Sequence, residues 1–350
     1  MTATPSVAGD PLARAIERFV AAETGGGAHV SELRMLAGGA SQEAWSVDVE
    51  VASQAGTERL QLVMRRDIRG ALTFIALDRG REFAVLQAAA QAGVPVPQPW
   101  FSPTTIDGKA AFFMQRVAGE AVGRRVVADP GLAGARERLP EQLAQALATI
   151  HRVDLCATGL AAKLTAPSDG RTAIGTELAR LYGELDSVHE SHPALELVLR
   201  WLVVHEPPRE RELVFVHGDF RIGNVLVADA GLTAILDWEF AHVSDPHDDL
   251  AWFCVRAWRF GKDELRAGGI CDRERFVRAY EAASGRAIDR GRLDYLEILG
   301  NVRWAIGALM QSRRHLDGLE RSIELASLGR LAAEMEIEAL RLIALAEGVR

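Results

Sequence analysis

The stretch from Leu213 to Val227 limits what this chain can fold into more than any other. Two short apolar runs, Leu213-Val214-Phe215-Val216 and Val225-Leu226-Val227, flank the polar loop His217-Gly218-Asp219-Phe220-Arg221-Ile222-Gly223-Asn224. A turn follows at Ala230-Gly231, and a third run, Ala234-Ile235-Leu236, ends in Asp237. Apolar runs of this length bounded by Gly, Asn and Asp read as short buried strands. Asp219, Asn224 and Asp237 are then expected at the mouths of adjacent strands.

Such a set suits phosphoryl transfer from ATP. One carboxylate takes the proton of a hydroxyl nucleophile, while an amide oxygen and a second carboxylate hold Mg²⁺ against the triphosphate. Mg²⁺ prefers oxygen ligands and keeps several waters, so two protein ligands suffice. Asn224 follows Asp219 by five positions, the spacing of the kinase pattern H-R-D-x-x-x-x-N. Gly218 stands where that pattern has Arg, and Trp238-Glu239 follow Asp237 where kinases carry Phe-Gly.

With these departures, the order His217-Gly218-Asp219, Asn224, Leu236-Asp237-Trp238-Glu239, Ser244-Asp245-Pro246 and Asp249-Leu250-Ala251 resembles the aminoglycoside phosphotransferase family, the kinase-like group that includes choline and homoserine kinases. The match is most similar to the branch resembling the kinase-like domain attached to some acyl-CoA dehydrogenases. The resemblance implies a protein-kinase-like α+β fold, with a small antiparallel-sheet N-lobe over residues 1–117 and a larger, mostly helical C-lobe over 118–350. It implies Asp219 as the base, Asn224 and Asp237 as Mg²⁺ ligands, and Asp249 and His217 as support for the catalytic loop.

Composition agrees with a folded chain of two lobes. Of 350 residues, 48% are hydrophobic and 25% charged, and the net charge of −8 argues against nucleic acid. Cys156, Cys254 and Cys271 are far apart and odd in number, which suggests neither a disulfide scaffold nor a zinc cluster and points to a reducing cytoplasm. Met1 to Asp10 lacks a basic region and an apolar core, unlike a signal peptide, and no apolar run approaches a membrane span.

Taken in order, Pro11 to Ala22 reads as an amphipathic helix ended by glycines 25 to 27. Two alternating runs then meet at Gly38-Gly39, a hairpin by its residues alone. The resemblance places the nucleotide loop there, at Gly38, Gly39 and Ser41, with Gln42 where the family often has Asn. Arg59 to Arg66 reads as a strand. Arg65 takes the place of the kinase lysine that holds the non-transferred phosphates, and Arg66, in opposite alternation, is expected to face solvent. The helix Arg79 to Ala92 carries Glu82, expected to pair with Arg65 as kinases pair helix and strand; a solvated Glu is the alternative. Ala110 to Val117 reads as a hairpin strand, and in the family the backbone at Met114, Gln115 and Val117 would meet the adenine edge. As a plain core strand it fits the residues equally.

The rest reads as helical: Glu141 to Val153, Arg171 to His189, Pro193 to His205, Arg273 to Ala283, Arg292 to Gln311 and Leu319 to Glu347. His151 is expected to be structural, and His242 and His247 to be pocket-wall or surface residues. Trp304, Met310 and Arg313 are candidates for the acceptor site, with core packing the favoured role for Trp304 and Met310. The function expected is ATP- and Mg²⁺-dependent transfer to the hydroxyl of a small molecule, an aminoglycoside or, from the dehydrogenase-linked branch, a hydroxyacyl metabolite. Two rivals stand beside it. One is a nucleotide-binding module without transfer; the other is a metal-dependent hydrolase using His217, Asp219, Asp237 and His242.

Overall fold

Apolar–polar alternation through residues 27–67 produces three long strands that set the first part of the fold. The structure is a computed structural model, and it describes residues 10–36, 42–53, 56–67, 76–168 and 170–349. Two compact units emerge: Met1–Gly119 with Thr233–Ala241, and Glu120–Leu232 with His242–Arg350. The segment bearing Asp237 thus belongs with the first unit, which a single boundary after residue 117 does not provide.

In the first unit, α1 (Pro11–Thr24) starts at Asp10, whose side chain accepts from the Leu12 amide, and stops at Gly25, whose φ of 69° suits glycine. Then come β1 (Gly27–Met35), β2 (Gln42–Ser53), β3 (Gly56–Asp67), α2 (Arg79–Gln91), β4 (Pro99–Ile106) and β5 (Lys109–Gln115). They form one antiparallel sheet in the order β1-β2-β3-β5-β4. Ile16 and Val20 of α1 pack with Val47, Leu62, Met64 and Phe113. β3 serves both faces because successive side chains alternate. Leu60, Leu62 and Met64 enter the α1 core, while Arg65, opposite Phe112 in register, lies on the other face. There Phe83 of α2 meets Phe112 edge-on, with ring centroids 5.8 Å apart.

Arg66 departs from its expected exposure. It is buried, and Nε donates to Glu43, its register partner on β2, at 2.9 Å. Alternation does put it opposite Arg65, but that direction leads to the end of the core, where a carboxylate waits.

The second unit is mostly helical: α3 (Gly123–Ala128), α4 (Ala133–Ile150), α5 (Ala173–Val188) and α6 (Pro193–Val204) precede the catalytic segment. The short strands β6 (Val214–Val216), β7 (Val225–Ala228), β8 (Gly231–Ile235) and β9 (His242–Ser244) follow, then α7 (His247–Cys254), α8 (Arg273–Ser284), α9 (Arg290–Leu316) and α10 (Ile323–Ala346). β6 pairs with β9 and not with β7, so the first two apolar runs are not sheet neighbours. α4 begins eight residues before the expected Glu141 and runs through Pro140. α10 starts after the Ser322 cap instead of at Leu319. Buried Arg259 donates to Glu297 of α9 at 2.9 Å, to Glu338 of α10 at 3.2 Å and to the Cys254 carbonyl at 2.8 Å. Such ions tolerate burial because each is paired and hydrogen-bonded. No helix among the described residues is long and apolar enough to cross a membrane.

Candidate active site

Burying a cation on a sheet face requires carboxylates, and the first unit supplies two. Arg65 Nε lies 3.0 Å from Glu82 Oε1, and Nη2 donates to Asp237 Oδ1 at 2.7 Å. Burial disfavours the Arg65 cation, but Glu82 and Asp237 outweigh it and keep the guanidinium protonated. Glu82 is also bridged by Arg79, which reaches Asp67 at 2.9 Å. Burial still pushes the Glu82 carboxyl up, against the pull of Arg65 and Arg79. The expected Arg65–Glu82 pair is therefore present, and Asp237 joins it. Asp237 sits at φ 67°, a left-handed conformation that Asp tolerates and that is over-represented at functional sites.

Beside this triad lies a cleft within the same unit, walled by Leu86, Pro97, Phe112 and Met114 and floored by Arg65 and Asp237. It joins apolar side walls to a charged floor, a combination that suits a base attached to phosphates. Along the adjoining strand, the Gln115 amide is spent on the Gln98 carbonyl and that of Arg116 on the Gln61 carbonyl. The Val117 amide makes no hydrogen bond among the described residues. A ligand edge would thus meet Val117 sooner than the Gln115 amide.

In the second unit the loop after β6 is held from below. Asp249, fully buried on α7, accepts from the His217 amide at 2.7 Å and the Gly218 amide at 2.9 Å. His151 closes the underside, with Nε2 3.3 Å from Asp249 and Nδ1 2.7 Å from the Tyr280 hydroxyl. Gly218 at φ 79° lets the chain turn there. The loop presents Asp219 with both oxygens engaged. Trp252 Nε1 donates to Oδ1 at 2.7 Å, while Asn224 Nδ2 at 2.6 Å and Arg221 Nε at 3.0 Å donate to Oδ2. Asn224 Nδ2 also holds the Asp219 carbonyl at 2.9 Å. Its amide nitrogen faces inward and its oxygen makes no hydrogen bond among the described residues, which leaves a hard ligand oxygen available.

A sequence profile of the phosphotransferase enzyme family, APH, matches residues 32–296. The chain belongs to that family. Solved structures with the same kinase-like fold include a Ralstonia eutropha protein provisionally described as an aminoglycoside phosphotransferase. It is 23% identical, with TM-score 0.73, over 94% of this chain and 97% of that one. Macrolide 2'-phosphotransferase MphH of Brachybacterium faecium is 19% identical, with TM-score 0.58, over 90% and 96%. Aminoglycoside phosphotransferase APH(4)-Ia, in ternary complex with AMP-PNP and hygromycin B, is 17% identical with TM-score 0.61, over 94% and 98%. Among curated proteins, acyl-CoA dehydrogenase family member 10 of Mus musculus is 33% identical over 206 residues, 56% of this chain and 18% of that protein. Member 11 of Gallus gallus is 34% identical over 54% of this chain and 24% of its own length. The chain thus spans a quarter or less of these relatives, and both the family and the dehydrogenase-linked resemblance stand.

For this APH-family chain Gly38, Gly39 and Ser41, expected to form the nucleotide loop, lie outside the described residues. His247 is structural: it binds Asp245 at 2.6 Å and accepts from the Asp289 amide. Arg313 is engaged by Glu190 and Asp317. Among the described residues no group of three or more His, Cys, Asp or Glu side chains is arranged to hold a metal ion. Sequence reasoning missed Arg79, Arg221, Trp252 and Arg303. Only Trp252 had a legible signal, its place directly after Asp249-Leu250-Ala251.

Proposed function

We propose that this chain transfers the γ-phosphate of ATP, with Mg²⁺, to a hydroxyl of a small molecule. The observation that carries the reading is the Asp219 carboxylate, oriented at both oxygens by Trp252, Asn224 and Arg221 on a loop braced by Asp249. A carboxylate fixed in this way is held in one orientation, which suits a group that must meet an incoming hydroxyl in a set geometry.

In this reading Asp219 takes the acceptor hydroxyl proton as that oxygen bonds to the γ-phosphorus, and the bond to the β–γ bridging oxygen breaks to release ADP. Asn224 Oδ1 and the Asp237 carboxylate are the oxygens offered to Mg²⁺; when bound, the ion would neutralise charge on the triphosphate. Arg65 would hold non-transferred phosphates, exchanging its contact with Asp237 for phosphate oxygens while Glu82 keeps its Nε in place. Family membership and AMP-PNP in the APH(4)-Ia complex support the nucleotide. The curated relatives support a hydroxyacyl compound among candidate acceptors. Cytoplasmic residence belongs to the same reading.

Thermal unfolding with and without Mg-ATP tests it. At ligand about a hundredfold above Kd, binding to the folded state adds roughly 2.7 kcal/mol, a shift of several degrees. The shift should require Mg²⁺ and shrink in Asp237→Ala. Asp219→Ala should keep the shift and lose ADP release. If Asp219→Ala still turns over within about tenfold of wild type, Asp219 is not the base.

A further inference from the structure

Arg79 stands where helix physics disfavours it. It is the first residue of α2, directly after the Asp78 cap, and the helix dipole there favours anions and opposes a cation. It is also buried, at 3% exposure, and an arginine is rarely so buried unless its charge is met. Contacts with β3, with its own helix and with the segment after β8 hold it in place. Nη1 donates to Glu82 Oε2 one turn along α2, and Nε lies 2.9 Å from Asp67 Oδ1 on β3. Nη2 donates to the Leu77 carbonyl at 3.1 Å and lies 3.8 Å from Glu239 Oε2, two residues past Asp237.

The two oxygens of Glu82 are thereby divided between two arginines: Oε1 faces Arg65 Nε at 3.0 Å, and Oε2 takes Arg79. Arg65 alone would leave the carboxylate one contact, about which its plane can turn, because the last torsion of a glutamate has broad minima. A second guanidinium on the far oxygen fixes that plane. Glu82 needs the second partner. Burial opposes its ionised form and Asp237 repels it, while Arg65 and Arg79 favour it. Asp67 and Glu239 add further negative charge around the same two cations. Two routes therefore lead from Arg79 to a triphosphate held by Arg65. One is its charge acting through space, and the other is its grip on Glu82. Glu82 stands between the two arginines and bonds to both, which favours the second route.

We propose that Arg79 is a positioning residue for the nucleotide. By holding Glu82 Oε2 it keeps Oε1 on Arg65 while Arg65 exchanges Asp237 for phosphate oxygens. Its effect on the phosphates passes through Glu82. The assignment rests on Arg65 being the phosphate-binding cation of the function proposed above.

Calorimetric titration of the full chain with Mg-ATP and with adenosine tests it. Arg79→Met should weaken Mg-ATP roughly tenfold, the worth of one hydrogen bond to a charged group, and leave adenosine unchanged. Adenosine has no phosphates for Arg65 to hold, so a general loss of structure would weaken both ligands alike and count against the role. Arg79→Lys is the milder change and serves if the Met variant does not fold. Its ammonium cannot meet Glu82 and Asp67 as the fork does, so it should show the same selective loss in smaller measure. In a Glu82→Gln background, Arg79→Met should change Mg-ATP affinity by less than about twofold, as expected of residues acting along one path. An equal loss with and without Glu82 would mean that Arg79 acts by charge alone and would overturn the proposal. Wild-type affinity in Arg79→Met would overturn it too. A second measurement needs no nucleotide. Urea unfolding of Arg65→Met, Glu82→Gln and the pair gives the coupling between Arg65 and Glu82, which should fall by about half or more once Arg79→Met is added. Undiminished coupling sinks the proposal whatever the nucleotide does. If the coupling falls and the wild type binds no Mg-ATP, the phosphotransferase reading fails and the hold of Arg79 on Glu82 stands.

Discussion

Trp252 Nε1 donates a 2.7 Å hydrogen bond to Oδ1 of Asp219, a residue 33 positions earlier in the chain. Arg221 holds the other oxygen and rests 4.7 Å from the ring centroid of Trp258, which meets Trp252 edge-on at 5.5 Å. Asp219, Trp252, Trp258 and Arg221 thus form one closed circuit of four side chains. Trp252→Phe keeps an aromatic ring under Arg303, deletes the donor and leaves a smaller side chain in the same place. A hydrogen bond to a charged group is worth about 1.5–3 kcal/mol, so kcat should fall roughly tenfold to a hundredfold. KM for ATP should not move, because Trp252 does not line the cleft of the first unit. An unchanged kcat would show that the donor has no part in holding the proposed base.

Asp249 sets the position of the same loop through backbone atoms. It is fully buried and accepts two consecutive amides, those of His217 and Gly218. Asp249→Ala orphans both in a site closed to water, at a cost of about 2–4 kcal/mol. Asp249→Asn keeps one acceptor oxygen and should lose about half as much. Urea midpoints measure both. Equal stability of the Ala variant and wild type would mean that water or a backbone shift satisfies the amides, and that the brace is dispensable.

These contacts show what the sequence disclosed and what it withheld. The contact of Asn224 with Asp219 was legible because it depends on spacing within one short stretch, and that of Glu82 with Arg65 because a kinase-like helix puts the two side by side. Arg66 misled because alternation fixes the face a residue points to but not whether that face ends in solvent or in Glu43. Arg221 and Arg303 gained their aromatic partners only by meeting across elements, guanidinium to ring. No periodicity within α7 or α9 encodes such a meeting. The segment bearing Asp237, expected in the C-lobe by a boundary after residue 117, groups with the first unit for a related reason. Chain order places it after the catalytic loop, while Ile235 bonds to the Pro95 carbonyl and the Leu77 amide bonds to the Glu239 carbonyl.

Arg65 carries structure as well as any phosphate contact. Removing it leaves buried Glu82 next to Asp237 with Arg79 as the remaining nearby cation. Breaking a buried pair by deleting one partner costs about 3–5 kcal/mol. Arg65→Ala should lower the melting temperature of the ligand-free protein and abolish the Mg-ATP shift. Arg65→Lys should restore most of the stability but less of the shift, since a single ammonium cannot serve Glu82 and phosphate as a fork does. If Arg65→Ala kept a full Mg-ATP shift, Arg65 would be an architectural cation only.

Glu43, at the rim of the sheet, should contribute to the acid limb of stability. Burial raises its carboxyl, but Lys109 at 2.6 Å, Arg66 at 2.9 Å and Trp45 at 3.0 Å outweigh that and bring it to about 2, from an ordinary 4.5. A carboxyl whose folded value lies below its unfolded value favours the folded state once ionised. Its contribution is complete above about pH 4.5 and disappears as pH falls towards about 2. Glu43→Gln should therefore cost about 1–3 kcal/mol at neutral pH, allowing for partial solvent access at the rim. The gap between variant and wild type should close across that window in denaturant titrations run at successive pH values. A gap as wide at pH 2 as at pH 7 would mean that Glu43 acts through packing, and that the ionised contacts with Lys109 and Arg66 add nothing to the fold.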